Sequence, residues 1–441
     1  MLKQKPASYL IFIFSLLLYV TIGYGIERHQ TLPLFICYFT LFFLYIRILR
    51  EQDVSFWIFA AILFRATLLF SVPALSDDFY RFIWDGRLLA AGYHPFAEVP
   101  AFYMTHPQTI PGIDAGLYAK LNSKETFTIY PPFSQFIFWL SVKLSTGSVY
   151  GSMVVMKVIL FSFEIGTLRI FAKIISHFKR PTNSILIYAL NPLVILELTG
   201  NLHFEGVMIF FLLLGIFFLI QQQQVYSSIA YALSICTKLI PLLFLPLFAN
   251  HLGWRKAIIY WVLTATITAI LFLPMLNAEI ITGFSTSVGY YFQRFEFNAS
   301  IYYLIREAGY FLFGFNIIQI AGPVLALIAT TLILIISFRN LREKSPAGVD
   351  NSLFKNMMWC LLVYFLFATT LHPWYIITLV AISSFTPCRF PVAWSGLIFL
   401  TYAGYTENSF HENLFLVALE YTFVIVYLIY ETVWMKRRDH S

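Results

Sequence analysis

Two adjacent carboxylates, Asp77 and Asp78, lead the run Ser76-Asp77-Asp78-Phe79-Tyr80-Arg81-Phe82-Ile83-Trp84-Asp85-Gly86-Arg87. Three carboxylates and two guanidinium groups stand in these twelve residues, directly after an apolar segment. Charge beside hydrocarbon is costly, about 2.5–3.5 kcal/mol for one charged side chain at a bilayer centre. Ionisable groups kept at a membrane edge are therefore candidates for function. An adjacent acidic pair suits general-base chemistry, in which one carboxylate takes a hydroxyl proton while its neighbour orients the substrate. The plainer reading is a helix N-cap followed by a first-turn acid, a place that also favours Asp. One pair of residues can do both.

Arg81, Asp85 and Arg87 continue at helical spacing. Arg81 and Asp85 suit an i,i+4 ion pair, and a planar guanidinium equally suits a phosphate. Tyr80 and Trp84 add aromatic faces to the same candidate substrate surface. Tyr130-Pro131-Pro132 reads as a helix entry with Pro at its start, with Tyr130 as a candidate contact. A second polar group lies at Asn191, Glu197, Asn201, His203 and Glu205, between two apolar stretches. Lys238 sits between two further apolar runs; it can snorkel or meet a lipid phosphate. Arg294 lies in an aromatic segment, and His372-Pro373-Trp374-Tyr375 at a helix boundary. Either could bind a phosphate or a sugar, Trp374 by stacking on a sugar face or as part of an interfacial aromatic belt. No phosphate-binding glycine loop and no metal-ligand spacing is present, so no cofactor is expected. The four cysteines read as small buried hydrophobes.

The elements that must hold these groups are membrane helices. Of 441 residues, 59% are hydrophobic and 12% charged, against about 25% charged in soluble chains. The expected fold is all-α, a polytopic transmembrane bundle of about 11–14 segments, judged against the roughly 20 apolar residues a span needs. Long candidates run over 8–25, 31–49, 54–73, 149–172, 183–199, 205–220, 257–276, 316–338, 353–371 and 413–434. Shorter ones lie at 131–146, 226–236, 238–249, 300–313, 374–386 and 391–405. Residues 1–441 read as one integral-membrane unit. The net charge of +7 resides in short loops and reads as topology signal, not as a nucleic-acid surface.

The positive-inside rule places Lys3 and Lys5 in the cytoplasm, with Lys173 to Arg180 and Arg255-Lys256 on the same side. That bookkeeping requires 131–146 not to cross completely, and 226–249 to fold back around Lys238. It puts 74–148, 199–204, 277–315, 372–375 and 406–412 on the outer face, together with nearly all the unusual polar residues. The long segment 74–130 becomes an outer loop with interfacial helices. Ordered loops of that length are usually functional.

The motifs together resemble the GT-C superfamily of polytopic glycosyltransferases, which take sugars from polyprenyl-phosphate donors. The carriers are Ser76 to Arg87, Gly92-Tyr93-His94-Pro95-Phe96, Tyr130-Pro131-Pro132, Asn191-Pro192, Asn201-x-His203, Lys238-x-x-Pro241 and His372-Pro373-Trp374-Tyr375. Within the superfamily the chain is most similar to bacterial mannosyltransferase-like members. The resemblance implies an acidic catalytic base in the first outer loop, here Asp77 or Asp78, with Asp77 favoured because it leads the pair. It also implies an inverting, metal-independent transfer at the outer face of the cytoplasmic membrane. The expected partners are membrane lipid, a polyprenyl-phosphate sugar donor and a glycolipid or glycan acceptor. A lipid-linked sugar flippase or secondary transporter is the alternative. A transporter would show internal repeats and midplane charges, and neither is visible in the sequence.

Overall fold

A computed structural model describes residues 6–106, 110–276, 283, 285–287, 289, 290, 293–339 and 349–439. Lys3 and Lys5, which set the expected orientation, lie outside the described residues. Among the described residues the chain is helical throughout, and its β pairing is limited to the isolated bridges Phe297 to Thr370 and Tyr405 to Phe410.

The first half begins with α1 (Pro6–Gly25), α2 (Thr31–Ile48) and α3 (Val54–Thr67), followed by α4 (Asp78–Ala90). Two short helices, α5 (Pro100–Thr105) and α6 (Ala115–Ala119), complete the long loop. Then come α7 (Pro132–Leu144) and α8 (Val149–His177). After the short turns α9 (Leu186–Ala189) and α10 (Pro192–Val194), the chain continues into α11 (Glu205–Ile220) and α12 (Gln224–Ile235). The long helices of the second half are Trp254–Phe272, Ile318–Phe338, Asn351–Phe367 and Leu414–Asp439.

Five of the described helices are long and apolar enough to cross a membrane unaided, and a bent pair makes a sixth. Five shorter apolar helices accompany them. The long helices turn large side chains outward: Leu10 is 69% exposed, Phe43 69%, Leu327 68% and Phe415 72%. Outward apolar faces of this extent are stable only against lipid.

Two sequence expectations are refined. Segment 131–146 forms α7, with 13 residues; at 1.5 Å per residue this is about 20 Å, short of a hydrocarbon core of about 30 Å. The expected single span 183–199 is instead two pieces, Thr182–Ala189 and Pro192–Gly200, bent by 50°. The break has a local cause. Pro192 cannot donate a backbone hydrogen bond, and Asn191 begins a new helix by accepting from the Leu193 and Val194 amides. The second piece runs on into a π-turn over Ile195–Gly200, a geometry frequent at functional sites.

A smaller core surrounds α4. Phe82 stacks on Phe138 of α7 at 4.6 Å and meets Phe204 edge-on at 5.4 Å. Gly86 permits this closeness, since a Cβ there would stand 2.6 Å from the Phe138 carbonyl oxygen. Between α3 and α8, Arg65 Nε donates to Glu164 at 3.1 Å. Tyr188 donates to the same carboxylate at 2.7 Å. Lys157 of α8 caps the end of α3 through the carbonyls of Leu68 (2.8 Å) and Ser71 (2.6 Å). A cation at a helix C-terminus satisfies orphan carbonyls and complements the helix dipole. This cap fixes where the chain leaves α3, and hence where Asp77 begins the next helix.

Candidate active site

Asp77 occupies the N-cap position of α4, and Asp78 is its first-turn acid. The Asp77 side chain does not cap the helix; it turns to Arg28, in the link between α1 and α2, at 2.5 Å. Asp78 accepts from Asn122 Nδ2 at 2.7 Å. The preceding backbone is pinned where the Leu75 amide donates to Asn201 Oδ1 at 3.2 Å. Each carboxylate thus has one oxygen engaged by a neighbour and stays part-exposed, an arrangement that fits a base awaiting a hydroxyl.

From Asp77 a continuous line of contacts runs across one end of the bundle. The Arg28 guanidinium lies over the Tyr405 ring, 4.9 Å from its centroid. Tyr405 stacks on Tyr402, whose hydroxyl donates to Glu197 at 2.6 Å. Glu197 also accepts from Asn201 at 3.2 Å and lies 3.3 Å from His203 Nε2. The His203 ring stacks on Trp374 at 3.7 Å, and Trp374 on His372 at 4.5 Å. Tyr375 meets Trp374 edge-on and lies under Lys238 at 5.7 Å. Lys238 donates to Glu205, which is fully buried. The fold-back expected around Lys238 is present, with Tyr231 of α12 donating to the Pro241 carbonyl at 2.7 Å.

The electrostatics follow from this crowding. Burial pushes the His372 ring down to about 3, with Asp78 opposing and His203 and Lys238 adding to the shift. His372 is therefore neutral and offers a hydrogen bond, not a charge. Its Nδ1 is enclosed without a hydrogen-bond partner. Among the described residues no group of three or more His, Cys, Asp or Glu side chains is placed to hold a metal ion.

The line thus joins Asp77 to His203, Glu205, Lys238, His372 and Trp374, with Asp78 beside it. Other candidates lie elsewhere. Arg81 is buried, paired with Asp85 at 2.9 Å and donating to the carbonyls of Ser123 and Thr126. Asp85 also accepts from Gln135 at 2.9 Å. Arg87 donates to the carbonyls of Gly112 and Gly147, and Trp84 is fully buried. These four residues tie the long loop and α7 to α4. Tyr130 packs edge-on against Phe82 at 4.9 Å. Tyr80 lies against Phe79, with Lys120 over its ring at 5.2 Å. Arg294 is exposed and makes no ion pair among the described residues. Its neighbour Glu296 is held by Arg306 at 2.7 Å and by Tyr302 at 2.6 Å.

Arg28, Asn122, Tyr402 and Tyr405 were not singled out by their sequence context. Arg28 did carry a signal: it is a cation in the link between α1 and α2, which the positive-inside reading expects to face outward.

The chain is 28% identical over 199 residues to alpha-(1->6)-mannopyranosyltransferase A of Mycobacterium tuberculosis (strain ATCC 25618 / H37Rv). That stretch is 44% of this chain and 36% of the relative, so well under two thirds of the relative's length is matched. Residues 24–253 match the family described as alpha-(1->6)-mannopyranosyltransferase, N-terminal domain, a stretch that holds Arg28, Asp77, Asp78, Glu197, His203, Glu205 and Lys238. With more than half of its length matched, the chain belongs to this mannosyltransferase family.

Proposed function

We propose that this chain is an integral-membrane mannosyltransferase that moves a mannosyl group from a polyprenyl-phosphate donor to the hydroxyl of a lipid- or glycan-linked acceptor. One observation carries the reading: the line of contacts from the Asp77–Arg28 pair to Lys238–Glu205 brings Arg28, Asp77, Glu197, His203, Glu205, Lys238 and His372 together at one end of an apolar bundle. The similarity to an alpha-(1->6)-mannopyranosyltransferase supports mannose as the sugar.

In this mechanism Asp77 or Asp78 accepts the proton of the acceptor hydroxyl as that oxygen attacks the anomeric carbon in line. Arg28 and Asn122 hold the two carboxylates in orientation. The C–O bond to the donor phosphate breaks through an oxocarbenium-like transition state, as in glycosidases, and the configuration inverts. The leaving polyprenyl phosphate takes the bonding electron pair. Lys238 meets that charge, and His372 donates one hydrogen bond to it. The rings of Trp374 and Tyr375 offer apolar faces to the sugar. By the positive-inside argument the reaction occurs on the outer face of the cytoplasmic membrane.

The test is transfer by purified protein in detergent, from polyprenyl-phosphate mannose to glycolipid acceptors. The base should lose about two to four orders of magnitude in rate as Asn, the usual contribution of general-base catalysis. Wild-type transfer by both Asp77→Asn and Asp78→Asn, each folded, overturns the mechanism.

A further inference from the structure

At the opposite end of α3 and α8 from Asp77, a cavity of about 1140 Å³ opens between the two helices. Its size is slightly above the range of drug-sized small-molecule sites, about 300–1,000 Å³. The lining combines three cations, Arg50, Lys179 and Arg180, with two carboxylates, Glu51 and Asp53, over an apolar floor that includes Ile58 and Ile175. Among the described residues none of the three cations is ion-paired. Arg180 Nε is shielded from solvent yet has no hydrogen-bond partner. The neighbouring Arg389 is lowered from its usual value, first by burial and then by the charge of Arg180. The lining thus carries one more positive charge than negative, with Arg389 nearby. The α3 N-terminus, at Val54 and Ser55, also lines it and adds the positive end of a helix dipole.

We propose that this cavity seats the headgroup of a zwitterionic phospholipid bearing a primary ammonium, of the phosphatidylethanolamine type. The phosphate meets Arg50, Lys179 and Arg180, the ammonium meets Glu51 and Asp53, and the glycerol end lies on the isoleucine floor. A purely anionic headgroup leaves the two carboxylates facing negative charge. A choline headgroup has no N–H to donate to them. This site is independent of the mannosyl-transfer reading, because it shares no residue with the Asp77 line.

Native mass spectrometry of the purified chain, titrated with phosphatidylethanolamine, phosphatidylcholine or phosphatidylglycerol, tests the assignment. Phosphatidylethanolamine should be retained at the lowest concentration. The triple variant Arg50→Gln, Lys179→Asn, Arg180→Gln should weaken it at least about tenfold, since each such cation near a phosphate surface is worth roughly fivefold. Asn is chosen at 179 because Lys179 adopts φ 51°, a conformation Asn tolerates. If the triple variant does not fold, Lys179→Asn alone should show the roughly fivefold step. The pair Glu51→Gln and Asp53→Asn, which keeps a capping oxygen at position 53, should shift preference toward phosphatidylglycerol. Equal retention of the three lipids overturns the proposal, as does unchanged retention by the cation variants. Displacement by inorganic phosphate alone would assign the cavity to free phosphate and overturn it too.

Discussion

The Lys238–Glu205 pair offers an asymmetric test of how the site is held. The side chains are 16% and 0% exposed respectively. Removing the cation by Lys238→Met strands a carboxylate with no route to water, and breaking a buried pair in this way costs about 3–5 kcal/mol. Glu205 Oε2 already lacks a hydrogen-bond partner, so nothing nearby can take over. Glu205→Gln is milder. The amide oxygen still accepts from the ammonium, which keeps its contact with the Tyr375 ring and some access to water. Its loss should be about 1 kcal/mol, the net worth of one hydrogen bond. The double variant leaves no buried charge and should be more stable than Lys238→Met alone. Thermal unfolding in detergent, followed by a thiol-reactive dye, reads this order directly, because Cys236, Cys360 and Cys388 are buried in the native fold. The expected ranking is wild type, Glu205→Gln, double variant, Lys238→Met. Equal midpoints for the two single variants, or a double variant no better than Lys238→Met, would refute the buried-charge argument.

Further outcomes follow from the same geometry. Gly86→Ala places a Cβ 2.6 Å from backbone oxygen of α7; it should destabilise by about 1–3 kcal/mol as overpacking, visible as a lower unfolding midpoint. Arg81→Met should cost about 3–5 kcal/mol by stranding the buried Asp85. If Arg81 gripped substrate instead, its variant would keep wild-type stability and lose only activity. The His372 ring takes its second proton near pH 3 when folded, against 6.5 ordinarily. Between these values the unfolded chain binds more protons, so this residue's contribution is complete above pH 6.5 and falls as pH drops through the window. The slope is at most about 1.4 kcal/mol per pH unit. A His372→Gln variant should flatten that part of the stability–pH curve, and an unchanged slope would show the ring titrating normally.

Much of the scaffold was legible from hydropathy, because a span must be apolar along its whole length and nothing else in the chain competes with that signal. The start of α4 at Asp77-Asp78 was legible for a similar reason: capping preferences and catalytic candidacy select the same residues. The destination of the partners was not legible. Arg81 and Asp85 have the spacing of an ion pair in any helix, and only the packing of residues 123–126 and Gln135 against them shows that they face protein. The break at Asn191-Pro192 was marked as a motif yet read inside one continuous span. Apolar composition is indifferent to a bend, and the 50° angle arises from the cap and the missing donor.

The division between the two halves of the chain bears on how the site is assembled. The stretch that defines the family, 24–253, contains both carboxylates, Arg28, Glu197, His203, Glu205 and Lys238. Several groups that hold them come from beyond it. Tyr402 satisfies Glu197, Tyr405 carries the Arg28 guanidinium, and Trp374 is sandwiched between His203 and His372. The hydroxyl of Tyr402 reaches a carboxylate that is fully buried, where an unpartnered acceptor costs about 1–3 kcal/mol or more. On the proposed mechanism the first half supplies the reactive groups, and the second half supplies an aromatic wall of Trp374, Tyr402 and Tyr405 packed against them. Rate in a proton-coupled transfer depends on that packing, because a base displaced by 1 Å loses orders of magnitude. Loss of Tyr402 or Trp374 should thus reach Asp77 through Arg28 and the Glu197–Asn201–Leu75 chain of hydrogen bonds, though neither residue touches either carboxylate.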